Sequence, residues 1–179
     1  VVGCDSPMAT KALVLIDFQK EWIDPVSPDY LGDLTSILAR TNQLIDHCRA
    51  QGYKIIFTRH VEKSSTAQWA EESTGTQLMD GIHKEPSDLL ITKHKINPFF
   101  ETSMEAELKG IPNLVVCGIL TNNCVRSFIA DAYDRGFNIT VIKDCCETFD
   151  KETQAFTFKD LGSTREEIQF KDLKEFVIS

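Results

Sequence analysis

Apolar residues fall into five short runs, and the stretches between several of them have helical spacing. The runs are "KALVLID" (Lys11 to Asp17), "YKIIFTR" (Tyr53 to Arg59), "DLLITK" (Asp88 to Lys93), "PNLVVCG" (Pro112 to Gly118) and "FNITVIKD" (Phe137 to Asp144). They are near-continuous rather than alternating, as strands are when both faces of a sheet are covered. After the first run, "LGDLTSILARTNQLIDHCRAQG" places Leu34, Ile37, Leu38, Thr41, Leu44, Ile45 and Cys48 on one stripe, with Gly52 as the stop. "CVRSFIADAYDRG" turns Val125, Phe128, Ile129 and Ala132 inward and closes on Gly136. A further helix is predicted over 151–161, and "EIQF" as a short last strand. Strands alternating with helices pair in parallel through right-handed crossovers. The pattern therefore predicts an α/β fold: a three-layer α/β/α sandwich with a mostly parallel, about six-stranded sheet of Rossmann-like topology. Residues 60–86 break the rhythm. That stretch is polar, carries one Trp, and reads as a long loop or short helices over one end of the sheet, a lid or pocket wall.

Composition narrows the class. The chain has 179 residues without internal repeats, which suits one domain over 11–179 behind a tail at 1–10. A chain of this length buries roughly 70% of its unfolded surface, so it needs no disulfide or metal to fold. The net charge of -8 argues against nucleic acid as a partner. No apolar run approaches ~18 residues, so no membrane span is predicted. The first ten residues lack the charged-then-apolar order of a signal peptide. The six cysteines (Cys4, Cys48, Cys117, Cys124, Cys145 and Cys146) form no Cys-x-x-Cys. They read as free thiols in a reducing, cytoplasmic compartment. No Gly-x-Gly-x-x-Gly follows a strand and no phosphate-cradling loop is present, so neither dinucleotide nor ATP chemistry is expected.

Ligands of open parallel sheets bind beyond the carboxyl ends of the strands. There the first strand carries Asp17, the third Lys93, and the fourth leads through "ILTNN" to Cys124 at the mouth of a helix. Taken singly, a strand-end Asp is a turn former, a Lys a solvated charge and a Cys packing. Together they describe nucleophilic chemistry. The helix N-terminus and Lys93 favour the thiolate, while Asp17 opposes it yet can take the thiol proton and pass it to a leaving amine. Lys93 would hold Asp17 oriented, and backbone amides of the turn from Gly118 to Cys124 would form an oxyanion hole.

These residues carry a family resemblance. "LVLIDFQKEW", "ITKHKINPFFETSMEAEL" and "GILTNNCVRSFIADAYDRG" resemble, in order, three blocks of the isochorismatase-like cysteine hydrolases, over about Lys11 to Asp150. The resemblance implies Asp17 as acid/base, Lys93 rather than Lys95 as the catalytic lysine, and Cys124 as nucleophile. It also implies a cis peptide at Ile119–Leu120 that turns the amides of Leu120 and Cys124 toward an oxyanion. The activity it implies is cleavage of a small amide or ureido C–N bond through a thioester, without a cofactor, in a homo-oligomer, dimer or tetramer. Two alternatives stand beside it: an isochorismate-type pyruvate-releasing hydrolase, which would not need Cys124, and a non-catalytic or redox-responsive binding protein that retains the pocket.

Where the nicotinamidase branch carries a metal-binding Asp-x-His, this chain has His60-x-Glu62, with His83 the one other candidate in the loop, so no metal is expected. "N-P-F" (Asn97 to Phe99) stands where the family usually has "S-A-F", a departure that would reshape one pocket wall. The family's habits suggest a small-molecule substrate bearing a carboxylate, for which Arg59 and Arg126 are the guanidinium candidates. Phe18 and Trp69 are candidate pocket walls. Gln19 and Asn122 are candidate hydrogen-bond donors, set against simple loop closure.

Overall fold

The structure, a computed structural model, describes residues 9–178. Most of the stretch read as a tail, Cys4 included, lies outside the described residues. Six strands form one sheet: β1 (Lys11–Ile16), β2 (Lys54–His60), β3 (Leu89–Lys93), β4 (Asn113–Ile119), β5 (Asn138–Glu147) and β6 (Gln169–Lys171). Their order is β3-β2-β1-β4-β5-β6, and every pairing is parallel. The helices are α1 (Thr35–Ala50), α2 (Met104–Glu107), α3 (Arg126–Asp134), α4 (Lys151–Thr164) and α5 (Leu173–Val177).

From β1 the chain steps outward one way to β2 and β3; from β4 it steps the other way to β5 and β6. With right-handed crossovers, α1 then covers one face while α3 and α4 cover the other. The short α5 returns to pack on α1 and β5. Residues 12–16 of β1 and 114–119 of β4 are buried throughout, which accounts for their unbroken apolar runs. On α1 the predicted stripe is buried at Leu34, Ile37, Thr41, Leu44, Ile45 and Cys48, with Leu38 at its half-exposed margin. The Asp150 carboxylate accepts from the Thr153 N–H (2.8 Å) and starts α4.

The order in which the chain adds strands reverses between β1 and β4, so the crevice at their carboxyl ends is the topological switch point. Gly118 allows the two strands to meet there. Its φ is +150°, and a Cβ would lie 2.3 Å from the Ile16 carbonyl oxygen. β5 runs on to Glu147, beyond the predicted end at Asp144. A register shift against β4 places Cys146 beside Gly118, so the polar Lys143–Asp144 pair lies within the strand. Between β2 and β3 the only helical piece among the described residues is the turn Thr74–Thr76; otherwise 61–88 is loop.

Candidate active site

Each strand at the switch point delivers one polar group to the same place. β1 ends at Ile16, and Asp17 leaves it with φ +54°, a left-handed turn unusual for a non-glycine residue. Three contacts hold that turn. The Asp17 N–H donates to Thr58 Oγ1 (3.2 Å), the Thr58 hydroxyl donates to Asp17 Oδ1 (2.6 Å), and Trp22 Nε1–H donates to the Asp17 carbonyl (2.8 Å). β2 and β3 end in register, His60 beside Lys93. β4 ends at Ile119, the Ile119–Leu120 peptide is cis, and a π-helical turn, Thr121–Val125, carries Cys124 into α3.

The lysine is the centre of the cluster. Lys93 Nζ lies 2.8 Å from Asp17 Oδ2 and 3.4 Å from Cys124 Sγ. It also lies 3.2 Å from the Lys95 carbonyl and 3.2 Å from His60 Nδ1. Asp17 and Lys93 are wholly buried and Cys124 is 7% exposed. Three residues spread over more than a hundred positions of the chain therefore meet in a nearly dry place.

Their protonation follows from that burial. Burial alone would lower the Lys93 ammonium, but Asp17 and then Cys124 outweigh it and hold it above its ordinary value. Burial and then Lys93 push the His60 imidazolium down, so the ring is neutral and Nδ1 accepts from Lys93. Burial first and Asp17 second push the Cys124 thiol up to about 12, against the opposing pull of Lys93. This corrects the expectation of a thiolate favoured by the helix and the lysine. Lys93 is already paired with Asp17, and Cys124 lies within the first turn rather than ahead of it. The resting cluster holds a protonated thiol beside a carboxylate that can accept its proton.

A pocket of about 500 Å³ opens onto these groups, lined by Asp17, Trp22, Asp29, His60, Glu62, Ala67, Gln68, Trp69, Ile96, Leu120, Asn123 and Cys124. Trp69, predicted as a wall, is one; its ring stands 4.9 Å from that of Trp22 and 5.7 Å from that of His60. Leu120, expected to supply an oxyanion amide, borders the pocket. Five predicted substrate contacts lie elsewhere. Phe18 is core, 1% exposed. Gln19 is buried and ties the end of β2 to the Thr74–Thr76 turn, accepting from the His60 N–H (2.8 Å) and donating to the His60 and Thr76 carbonyls (2.8 Å each). Arg59 faces Glu71 at 3.9 Å, because strand alternation sends its side chain opposite to those of Thr58 and His60. Arg126 pairs with Asp160 on α4. Asn122 closes a loop, accepting from the Thr148 hydroxyl (2.7 Å).

The three residues weighed as metal ligands do not converge. His60 turns to Lys93, while His83 pairs with Asp46 of α1 at 3.0 Å. Among the described residues no three His, Cys, Asp or Glu side chains are grouped to hold a metal ion. Thr58, Trp22 and Asp29 escaped the sequence reading. Thr58 left a signal, a polar residue inside an apolar strand two positions before His60; Trp22 and Asp29 left none.

These features define a class: a three-layer α/β/α protein with a six-stranded parallel sheet that gathers a thiol, an amine and a carboxylate at its switch point. Residues 11–167 match the isochorismatase domain family, and the chain belongs to it. It is 26% identical over 142 residues to the isochorismatase family protein YddQ of Bacillus subtilis (strain 168), covering 78% of each chain. It is 26% identical over 166 residues to Nicotinamidase 3 of Arabidopsis thaliana, covering 84% of this chain and 80% of that one. An isochorismatase family protein from Desulfovibrio vulgaris superposes with a TM-score of 0.86 at 19% identity, over 94% of this chain and 96% of the other.

Proposed function

We propose that this protein is an amidohydrolase that cleaves a small amide or ureido C–N bond through a thioester on Cys124 and needs no cofactor. The observation that carries the reading is the single ammonium of Lys93 touching both Asp17 Oδ2 and Cys124 Sγ, on a pocket lined by Asp17 and Cys124. As Sγ bonds to the substrate carbonyl carbon, the thiol proton passes to Asp17. The carbonyl electron pair collects on oxygen, facing the amides of Leu120 and Cys124. The C–N bond then breaks and the amine departs with the proton from Asp17. Water, deprotonated by Asp17, attacks the thioester; the carboxylic acid leaves and the thiol is restored. Lys93 keeps the carboxylate facing the sulfur through both halves. One oxyanion donor is typically worth about 2.7–4 kcal/mol in such a reaction. The kinship with Nicotinamidase 3 supports amide chemistry.

The test is ammonia release from a panel of small primary amides and ureido compounds, combined with mass spectrometry of the quenched enzyme. An adduct on Cys124 with the mass of the acyl group is expected, and Cys124→Ala abolishes both signals. Turnover that survives Cys124→Ala refutes the reading.

A further inference from the structure

The pocket wall is acidic and aromatic. Besides Asp17 it carries the carboxylates of Asp29 and Glu62 and the indoles of Trp22 and Trp69, and no arginine or lysine is among its lining residues. Trp69 is stitched to both acids: its Nε1–H donates to Asp29 Oδ2 (2.8 Å), and its carbonyl accepts from the Glu62 N–H (2.9 Å). The Trp69 indole and the Asp29 carboxylate are thus held together, with the backbone of Glu62 anchored beside them. Lys93 is buried against Asp17 and offers a substrate anion nothing unpaired. Lys63 and Lys95 line the adjoining cleft, which shares His60, Glu62 and Ile96 with the pocket.

From this we infer that the substrate carries a cationic or N–H-rich group, an ammonium or amidinium, beside its scissile amide, and not a carboxylate. Indole faces attract cations through their negative quadrupole, and Asp29 and Glu62 add charge at the mouth. A carboxylate in the same place would meet two like charges with no guanidinium to pair it. The inference rests on the pocket being the substrate site proposed above, and it reverses the preference expected when Arg59 and Arg126 were candidates.

Cys124 serves as a reporter of the local charge. In a Cys4→Ser chain, the thiol is modified with methanethiosulfonates of matched size bearing a trimethylammonium, a neutral or a sulfonate group. Each forms a mixed disulfide and releases methanesulfinate. Rates are read by mass spectrometry at low ionic strength and divided by those with free mercaptoethanol. The cationic reagent is expected to outrun the anionic one by about tenfold or more, as charged clefts do for their counter-ions. Asp17 and the reacting thiolate also favour the cation, so the deciding comparison is the Asp29→Asn/Glu62→Gln chain, in which the ratio falls at least about threefold. Asparagine keeps an acceptor for Trp69. A matched set of benzamides bearing trimethylammonium, no charge or carboxylate should rank the same way in ammonia release. A sulfonate that reacts as fast as the cation, or a ratio unmoved by the double substitution, overturns the inference; amide hydrolysis would then still support the proposed function. A cation preference that collapses in the double variant while no amide is cleaved upholds the wall's selectivity and refutes the amidase reading.

Discussion

A protonated Cys124 has a measurable consequence. The thiol is pushed up from 9.0 to about 12, with burial the larger cause and Asp17 the next. A difference of three pH units corresponds to about 4 kcal/mol against the thiolate, or about a thousandfold less thiolate near neutral pH. Alkylation by iodoacetamide proceeds through the thiolate. In the Cys4→Ser chain, labelling of Cys124 near pH 7.5 is therefore expected to be about a thousandfold slower than for an unperturbed thiol. Its rate should rise about tenfold per pH unit up to pH ~10 without levelling. Asp17→Asn removes a negative charge beside the sulfur and leaves Lys93 in place, so labelling near neutral pH should accelerate at least about tenfold. In the same variant amide turnover should fall by roughly 10²–10⁴, because the proton acceptor is gone. Peptide-resolved mass spectrometry across a pH series reads the labelling, and ammonia release reads the turnover. A labelling curve that levels off with an apparent pKa below about 8 would refute the reasoning, since the thiolate would then be preformed.

Three further outcomes follow from the same geometry. Lys93→Met leaves the Asp17 carboxylate buried without its partner and should cost about 3–5 kcal/mol in denaturant unfolding, part of it recovered in Lys93→Met/Asp17→Asn. Gly118→Ala places a Cβ against the Ile16 carbonyl at a φ that disfavours side chains, so a loss of about 2–4 kcal/mol in thermal or denaturant unfolding is expected. The buried thiols Cys48 and Cys145 are each pushed up to about 12, and Cys117 and Cys146 are also raised. The folded chain keeps protons that the unfolded chain releases. Stability should thus be level below pH ~8.5 and fall as pH rises from there toward ~12, by up to about 1.4 kcal/mol per pH unit for each thiol. Unfolding midpoints across alkaline pH check the slope, and serine at Cys48 and Cys145 should flatten it.

The sheet was legible because both of its faces are covered. The apolar runs at 12–16 of β1, 55–57 of β2 and 114–117 of β4 have no polar position to interrupt them, and their ends are marked by polar residues or glycine. Legibility failed where pairing rather than pattern sets the boundary. β5 carries Lys143 and Asp144 inside the strand because a register shift against β4 keeps the chain extended past them. The helices α2 and α5, of four and five residues, are too short to show a period and are held by packing and by the Asp172–Glu175 capping box.

Asp17, Lys93 and Cys124 could be placed on one rim from topology alone, because strand ends in a parallel sheet share a side. The direction of a side chain beside that rim depends on period-two alternation, and this is where Arg59 was misplaced. With Thr58 turned to Asp17 and His60 to Lys93, the residue between them must point away. The charge state of the thiol was further out of reach, because it depends chiefly on how deeply the fold buries it. Lys93 touches both Asp17 at 2.8 Å and the sulfur at 3.4 Å, each an ordinary length for its acceptor, and its pull on the thiol is outweighed by burial and by the charge of Asp17. Such a resting state suits the chemistry proposed here. A preformed thiolate would be open to oxidation and alkylation, whereas a thiol facing a lysine-bound carboxylate becomes nucleophilic only when a carbonyl carbon arrives to take up the sulfur's electrons as the proton moves to Asp17.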